Sequence, residues 1–267
     1  KMPAYKYRLV SVDAWEQQQE KTIRDFMNDA KAVIMAAGFP EAAITLRTEE
    51  RKVGIARDIA TESRNGYKAI VVGRKGISEL KDFMMGSIAQ KILELASRPV
   101  WIVGGASTAR KILVCLDNSD GAMRAVEHLG EMLSGVASRD ILLLHVARGY
   151  GGLRKFIRDV FISEGNQSAV DELEKEFKAV SAILEPSFEK AKSLLTAGGI
   201  DSGRISRKVA QGGGNSGNTI IEEAEALGFD TIVLGRRGIS RVEEFLMGRV
   251  SNKVIQLAKE MNVWVVS

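Results

Sequence analysis

Apolar residues along the second part of this chain fall into short continuous runs separated by stretches with helical spacing. Lys111 to Leu116, Ile141 to Val146, Arg204 to Val209, Thr231 to Leu234 and Val263 to Val266 read as buried strands. Between them, Ser119 to Leu133 carries Met123, Val126, Leu129 and Leu133 on one helical face, and Asn218 to Leu227 and Val250 to Lys259 read as helices. A long helical region covers about Val170 to Thr196, with Pro186 predicted to break or kink it, because proline lacks the N–H and clashes with the preceding turn. Apolar strands alternating with helices predict a parallel sheet covered on both faces.

The first part repeats this order with pieces missing. Tyr7 to Val12, Ala43 to Arg47, Ala69 to Val72 and Val100 to Val103 read as strands, and Lys21 to Ala37, Lys52 to Ser63 and Ser87 to Ala96 as helices. One strand and one helix are lacking relative to the second part. Leu9-Val10-Ser11-Val12-Asp13 is similar to Leu113-Val114-Cys115-Leu116-Asp117, yet the residues after it are similar to those after Val146. Two registers are therefore open, and reading Tyr7 to Val12 as a second strand needs no internal deletion. A missing first strand leaves unpaired backbone on its neighbours, so residues upstream or another chain are expected to fill the gap.

A glycine pattern ties the parts together. Ile70-Val71-Val72-Gly73-Arg74-Lys75-Gly76, nine residues, then Gly86-Ser87 recurs 162 positions on as Ile232-Val233-Leu234-Gly235-Arg236-Arg237-Gly238, nine residues, then Gly248-Arg249. Ten of the eighteen positions are identical, which implies duplication. An apolar strand that ends in glycines ahead of a helix lets backbone N–H groups approach an anion, typically phosphate. The small residues Gly104 to Ala109 read as a linker, giving domains at 1–104 and 111–267. Leu153, Phe156, Ile157, Val160 and Phe161 share one helical face, expected as a lid or partner surface or as an inserted helix covering its own domain.

Composition narrows the function classes. At 267 residues and 45% apolar content the chain can fill two cores. No apolar stretch approaches the roughly 18 residues that span a bilayer, and no charged-then-apolar leader opens the sequence, so a cytoplasmic protein without membrane association is expected. The net charge of +4 is mild and interspersed, which gives no indication of nucleic acid. The lone Cys115 excludes an intrachain disulfide and reads as a small buried hydrophobe. Only His128 and His145 offer imidazole, and neither sits in a metal-binding pattern. His145 ends an apolar run, where a hydrogen-bonded strand-end role is as good a reading as catalysis.

The motif Gly-x2-Gly-x9-Gly-(Ser/Thr) resembles the signature of the universal stress protein family. Gly73, Gly76, Gly86 and Ser87 match it completely, and Gly235, Gly238 and Gly248 match it with Arg249 in the hydroxyl position. Together with Asp117 at a first strand and Leu144-His145-Val146 at a second, the resemblance covers essentially the whole chain as a tandem. It implies an α/β fold of two Rossmann-like domains of the adenine nucleotide alpha hydrolase type. Each would have a parallel five-stranded sheet of order 3-2-1-4-5, the first domain lacking its first strand and helix. It also implies ATP, with Mg2+, between strands 1 and 4, with Asp117 near the adenosine, the Val146 backbone facing the base and phosphates on the glycines. Arg74, Lys75, Arg236 and Arg237 are candidate cations or solvated loop residues. The two last strands are expected to pair across a pseudo-two-fold, with Trp101 and Trp264 near the axis, so that one chain resembles a dimer; a homodimer is possible on the same grounds.

Blander roles stay open at the same residues. Ser87-Ile88-Ala89-Gln90 has the form of a capping box, and Asp117-Asn118-Ser119 that of a strand-to-helix turn with a capping side chain. Arg249 can grip phosphate bidentately, fill the pocket or face solvent. The leading expectation is an ATP-binding regulatory module with slow hydrolysis at most. The alternative is a nucleotide-free tandem that acts through an unidentified protein partner; an ATP-using transferase or ligase is disfavoured because HxGH and SGGxDS motifs are absent.

Overall fold

A computed structural model describes residues 4–75, 85–105, 110–136, 139–148, 167–212, 215–238 and 247–267. They form two compact units, Lys1–Arg51 and Lys52–Ser267. The amphipathic segment 153–161, Gly76 and most of the linker lie outside the described residues.

The first unit departs from the strands expected of it. A single helix, α1 (Ala4–Ala36), runs through Tyr7 to Val12, and a 3-10 turn at Glu41–Ala43 leads into an irregular stretch over Ala43 to Arg47. A strand depends on a neighbour for its backbone hydrogen bonds, whereas a helix satisfies its own. Among the described residues no strand pairs with the outer side of β1, so the second and third strands expected here have no ladder to join. An ion pair from Lys31 to Glu41, 2.7 Å, ties the turn back to the helix.

The second unit is a seven-stranded sheet. Its strands are β1 (Ile70–Gly73), β2 (Val100–Val103), β3 (Lys111–Cys115), β4 (Asp140–Arg148), β5 (Ile205–Gly212), β6 (Thr231–Gly235) and β7 (Asn262–Val266). The spatial order is β1-β2-β7-β6-β3-β4-β5. Its last five members contain the expected 3-2-1-4-5 arrangement as β5-β4-β3-β6-β7, all parallel. Among the described residues the first half supplies β1 and β2, parallel to each other, where four strands were expected. β2 and β7 pair antiparallel with Trp101 opposite Trp264, and this is the expected pseudo-two-fold.

Helices α2 (Ile55–Glu62), α3 (Ser87–Leu95), α4 (Asp120–Leu133), α5 (Gln167–Ala197), α6 (Ser216–Leu227) and α7 (Arg249–Leu257) cover the sheet. Alternate residues of each central strand enter opposite cores. Leu113, Leu142, Ile232 and Val263 join Ile92, Ile221 and Ile255 on one face. Ile112, Ile141, Val233 and Trp264 join Leu129, Phe188 and Leu195 on the other. The helix α5 continues through Pro186, because Leu184 and Phe188 are buried on either side of it and their packing outweighs the lost hydrogen bond. At the β1 edge the burial fails: Val71 is 60% exposed, while Val233, its counterpart in the repeat, is fully buried.

The two indoles stack at the seam with centroids 3.8 Å apart and planes 2° from parallel. Trp101 Nε1 donates to His128 Nε2 at 3.1 Å, which fixes the buried His128 as a neutral acceptor. Burial lowers the His128 pKa, with Glu131 opposing and Lys68 reinforcing that shift.

Candidate functional site

The sheet order reverses between β3 and β6, and the crevice at their carboxyl ends is the general location for ligands in open parallel sheets. A cavity of about 500 Å³ occupies it. Asp117, Val146, Gly235, Gly238, Gly248 and Arg249, all nominated from the sequence, line this one space. Cys115, His145, Ser216 and Ile220 line it too.

Close backbone packing shapes the floor. A Cβ on Gly235 would lie 2.6 Å from the carbonyl carbon of Gly121 and 3.0 Å from the Ala122 nitrogen, and one on Gly121 would lie 2.4 Å from the Arg237 oxygen. The end of β6 is therefore seated directly on the first turn of α4. At Gly238 the same test meets Asp117 Oδ2 at 2.4 Å, so this glycine makes room for the carboxylate of the neighbouring strand. Asp117 Oδ1 accepts from the Ser119 backbone N–H at 3.1 Å and from the Ser119 hydroxyl. Ser119 in turn accepts from Ala122 N at 3.2 Å as the N-cap of α4. The turn-and-cap reading of Asp117-Asn118-Ser119 is thus present, and Asp117 also reaches the cavity.

The start of α7 forms another wall of the cavity. Gly248 is its N-cap, no side chain caps it, and Arg249, Val250 and Ser251 follow along the cavity wall. First-turn N–H groups of a helix have no partner within the helix, and the helix dipole places about half a positive charge there. Arg237 and Arg249 add cationic side chains among the lining residues. The Ser251 hydroxyl is engaged within the wall, donating to Gly235 O at 2.9 Å. His145 Nδ1 lies 2.7 Å from Leu116 O, the hydrogen-bonded strand-end role. Burial, with a smaller contribution from Asp117, pushes the Cys115 thiol up, so it stays protonated at the cavity wall. No group of three or more His, Cys, Asp or Glu side chains suited to a metal ion occurs among the described residues.

The first half keeps the loop but not its surroundings. Arg74 N donates to Val103 O at 2.9 Å and Gly86 N to Arg74 O at 2.8 Å, copying Arg236 N to Val266 O at 2.6 Å and Gly248 N to Arg236 O at 2.9 Å. No strand flanks the outer side of β1 among the described residues. Gly73 accordingly has only an ordinary 3.5 Å contact at its Cβ position. Gly86, not Ser87, is the N-cap of α3, and no side chain caps it, so Ser87 does not hold the cap position of a capping box. Arg74 and Arg236 are likewise not phosphate-side cations: both reach across the seam to helix carbonyls of the other half.

Sequence reasoning missed Gly121 and Ser216. Ser216 lies in the small polar run Asn215-Ser216-Gly217-Asn218, where Asn215 caps α6 through Gly217 N at 3.0 Å. That run is the local signal that could have found it. Gly121 carries no signal outside the packing of α4 on β6.

The universal stress protein family model matches residues 3–104 and 108–267, nearly the whole chain in two copies. The chain belongs to the universal stress protein family, as a tandem member. It is 30% identical over 135 residues to a universal stress protein of Mycolicibacterium smegmatis, covering 48% of this chain and 45% of that one. The chain thus spans less than half the length of that relative. It is 29% identical over 150 residues to the universal stress protein YxiE of Bacillus subtilis, covering 55% of this chain and 93% of YxiE. The crystal structure of a universal stress protein from Archaeoglobus fulgidus shares the fold, with a TM-score of 0.56 at 19% identity over 96% of this chain and 82% of that one. No helix among the described residues is long and apolar enough to cross a membrane.

Proposed function

We propose that this chain is an adenine-nucleotide-binding regulatory protein whose second-half cavity takes ATP, with hydrolysis slow at most. The observation that carries this reading is the convergence of Asp117, Val146, Gly235, Gly238, Gly248 and Arg249 on one cavity at the switch point, beside an uncapped helix start. Asp117 and the Val146 backbone would meet the adenosine, and the glycines with the first turn of α7 would meet the phosphates. Arg249 replaces a hydroxyl with a guanidinium able to hold phosphate bidentately. Mg2+ would arrive with ATP and moderate the phosphate charge; Asp117 is the carboxylate on the described wall. Slow turnover fits a wall on which Asp117 and His145 are both engaged in local hydrogen bonds.

In this reading the family repeats at 1–104 and 111–267 are unequal, the first half retaining Gly73, Gly76, Gly86 and Ser87 without an adenosine-side strand. Occupancy is asymmetric and the protein works in the cytoplasm. The open β1 edge favours a second reading, a nucleotide-free module that binds a protein partner. Mass spectrometry of small molecules released from the purified protein, repeated on Ser87→Ala and Arg249→Ala, separates the two. Nucleotide present in wild type and depleted by Arg249→Ala supports the ATP reading. No nucleotide released, and none bound on titration with ATP and Mg2+, refutes it.

A further inference from the structure

Arg74 is almost completely buried, at 4% exposure, and it performs two tasks in different halves. Its backbone closes the first glycine loop, accepting from Gly86 N. Its side chain leaves that loop, and Nη1 donates at 2.7 Å to the carbonyl of Ile255 near the C-terminal end of α7. Arg236 mirrors this arrangement. Its carbonyl accepts from Gly248 N at the start of α7, while Nη1 and Nη2 donate to Ala96 O at 2.9 Å and Glu94 O at 2.7 Å at the end of α3. The four links close a circuit. Arg74 holds the start of α3 through its backbone and the end of α7 through its guanidinium, and Arg236 holds the start of α7 and the end of α3 in the same way.

Room for Arg74 is built into the seam. A Cβ at Gly104 would lie 3.1 Å from Arg74 Nε and 3.0 Å from Lys259 O, and Gly104 N is itself held by Asn262 Oδ1 at 3.2 Å. The guanidinium is desolvated there, which lowers its pKa, with Glu260 opposing. Its Nε and Nη2 have no hydrogen-bond partner among the described residues, where the bond to Ile255 O is the directional hold on this cation. Burying a guanidinium with two unsatisfied nitrogens is costly, and surface capping would place a cation at this helix end more cheaply.

We propose that Arg74 is a positioning residue for the second-half cavity, and that through it the two glycine loops are energetically coupled. The inference rests on the nucleotide reading of that cavity. The helix α7 has nine residues, a rigid rod of about 14 Å, so the position of its C-terminal end sets that of its first turn. That first turn is the wall formed by Arg249, Val250 and Ser251. A cation at the C-terminus and an anion at the N-terminus are also favoured by the same helix dipole.

The test titrates ATP with Mg2+ into the full chain by calorimetry, for wild type, Arg74→Met, Arg74→Lys and Trp101→Phe. Hydrogen exchange of the α7 amides and thermal melts are recorded in parallel. Arg74→Met weakens binding about five- to tenfold and speeds exchange at Gly248 and Asn252, the hydrogen-bonded amides at the start of α7. Arg74→Lys, which keeps the charge and one donor, recovers part of both. Trp101→Phe loosens the seam on the other sheet face, lowering stability without the loss of affinity. Arg74→Met binding as tightly as wild type overturns the proposal, and so does an equal loss of affinity in Trp101→Phe. If wild type takes no nucleotide, the reading of the cavity falls, and the exchange arm still decides the coupling: unchanged exchange at Gly248 and Asn252 in Arg74→Met overturns it.

Discussion

Truncating Trp101 to alanine removes three things at once from the seam between the halves. The first is the stack on Trp264, at 3.8 Å and 2°, worth about 0.5–1.5 kcal/mol beyond area burial. The second is the Nε1 hydrogen bond to His128, worth about 1 kcal/mol, whose loss leaves a buried acceptor unpaired. The third is the buried ring area; a fully buried Trp→Ala change costs about 3–5 kcal/mol, and Trp101 is only half-buried. These contributions overlap, so the expected loss is about 3 kcal/mol. At about 2–4 °C per kcal/mol for a unit of this size, the melting temperature should fall by roughly 6–12 °C. Trp101→Phe keeps an aromatic ring and drops the donor, and should cost about 1 kcal/mol. The assay is thermal unfolding followed by far-UV circular dichroism, with near-UV spectra reporting the coupled indoles. A Trp101→Ala protein that melts within about 1 °C of wild type and keeps its near-UV signal would show that the stack does not hold the seam.

Other outcomes rest on the same geometry. His128 accepts a hydrogen bond as the neutral imidazole and its pKa lies below the usual 6.5, so the unfolded chain binds more protons. Its contribution is complete above about pH 6.5 and is lost as pH falls through the lower folded value; a urea midpoint no different at pH 5 in His128→Gln relative to pH 7, against a decline in wild type, checks the assignment. Gly235→Ala drives a methyl into the Gly121 backbone and should cost about 1–3 kcal/mol and weaken nucleotide binding, whereas the equivalent Gly73→Ala meets only ordinary contact and should melt within about 0.5 kcal/mol of wild type. Ser119→Ala removes the α4 N-cap and should cost about 1 kcal/mol by denaturant titration.

Most elements from Lys111 to Val266 were legible because β3, β4, β6 and β7 are buried on both faces and read as apolar runs, with helices between them, while the edge strand β5 keeps Ser206, Arg207 and Lys208 exposed. The glycine repeat located the cavity because its spacing is set by local backbone needs, and Gly235 and Gly238 are the positions where a Cβ has no room. Tyr7 to Val12 has the composition of a strand, yet strand formation is decided by a partner, and sequence periodicity carries no information about whether one is present. The roles of Arg74 and Arg236 were hidden for a related reason. A loop arginine beside a glycine motif suggests phosphate, and only the fold brings Ile255 and Ala96 within reach. Pro186 shows propensity overruled by packing on either side of it.

The antiparallel pairing of β2 with β7 joins two segments of one polypeptide. Closure of that ladder is therefore a first-order event, governed by the effective concentration that the short connection between Val103 and Lys111 imposes. Mass action does not act on it, so dilution leaves the stacked tryptophans and the exchanged arginines together. The two halves can then drift apart in sequence without losing each other, since neither has to find its partner in solution.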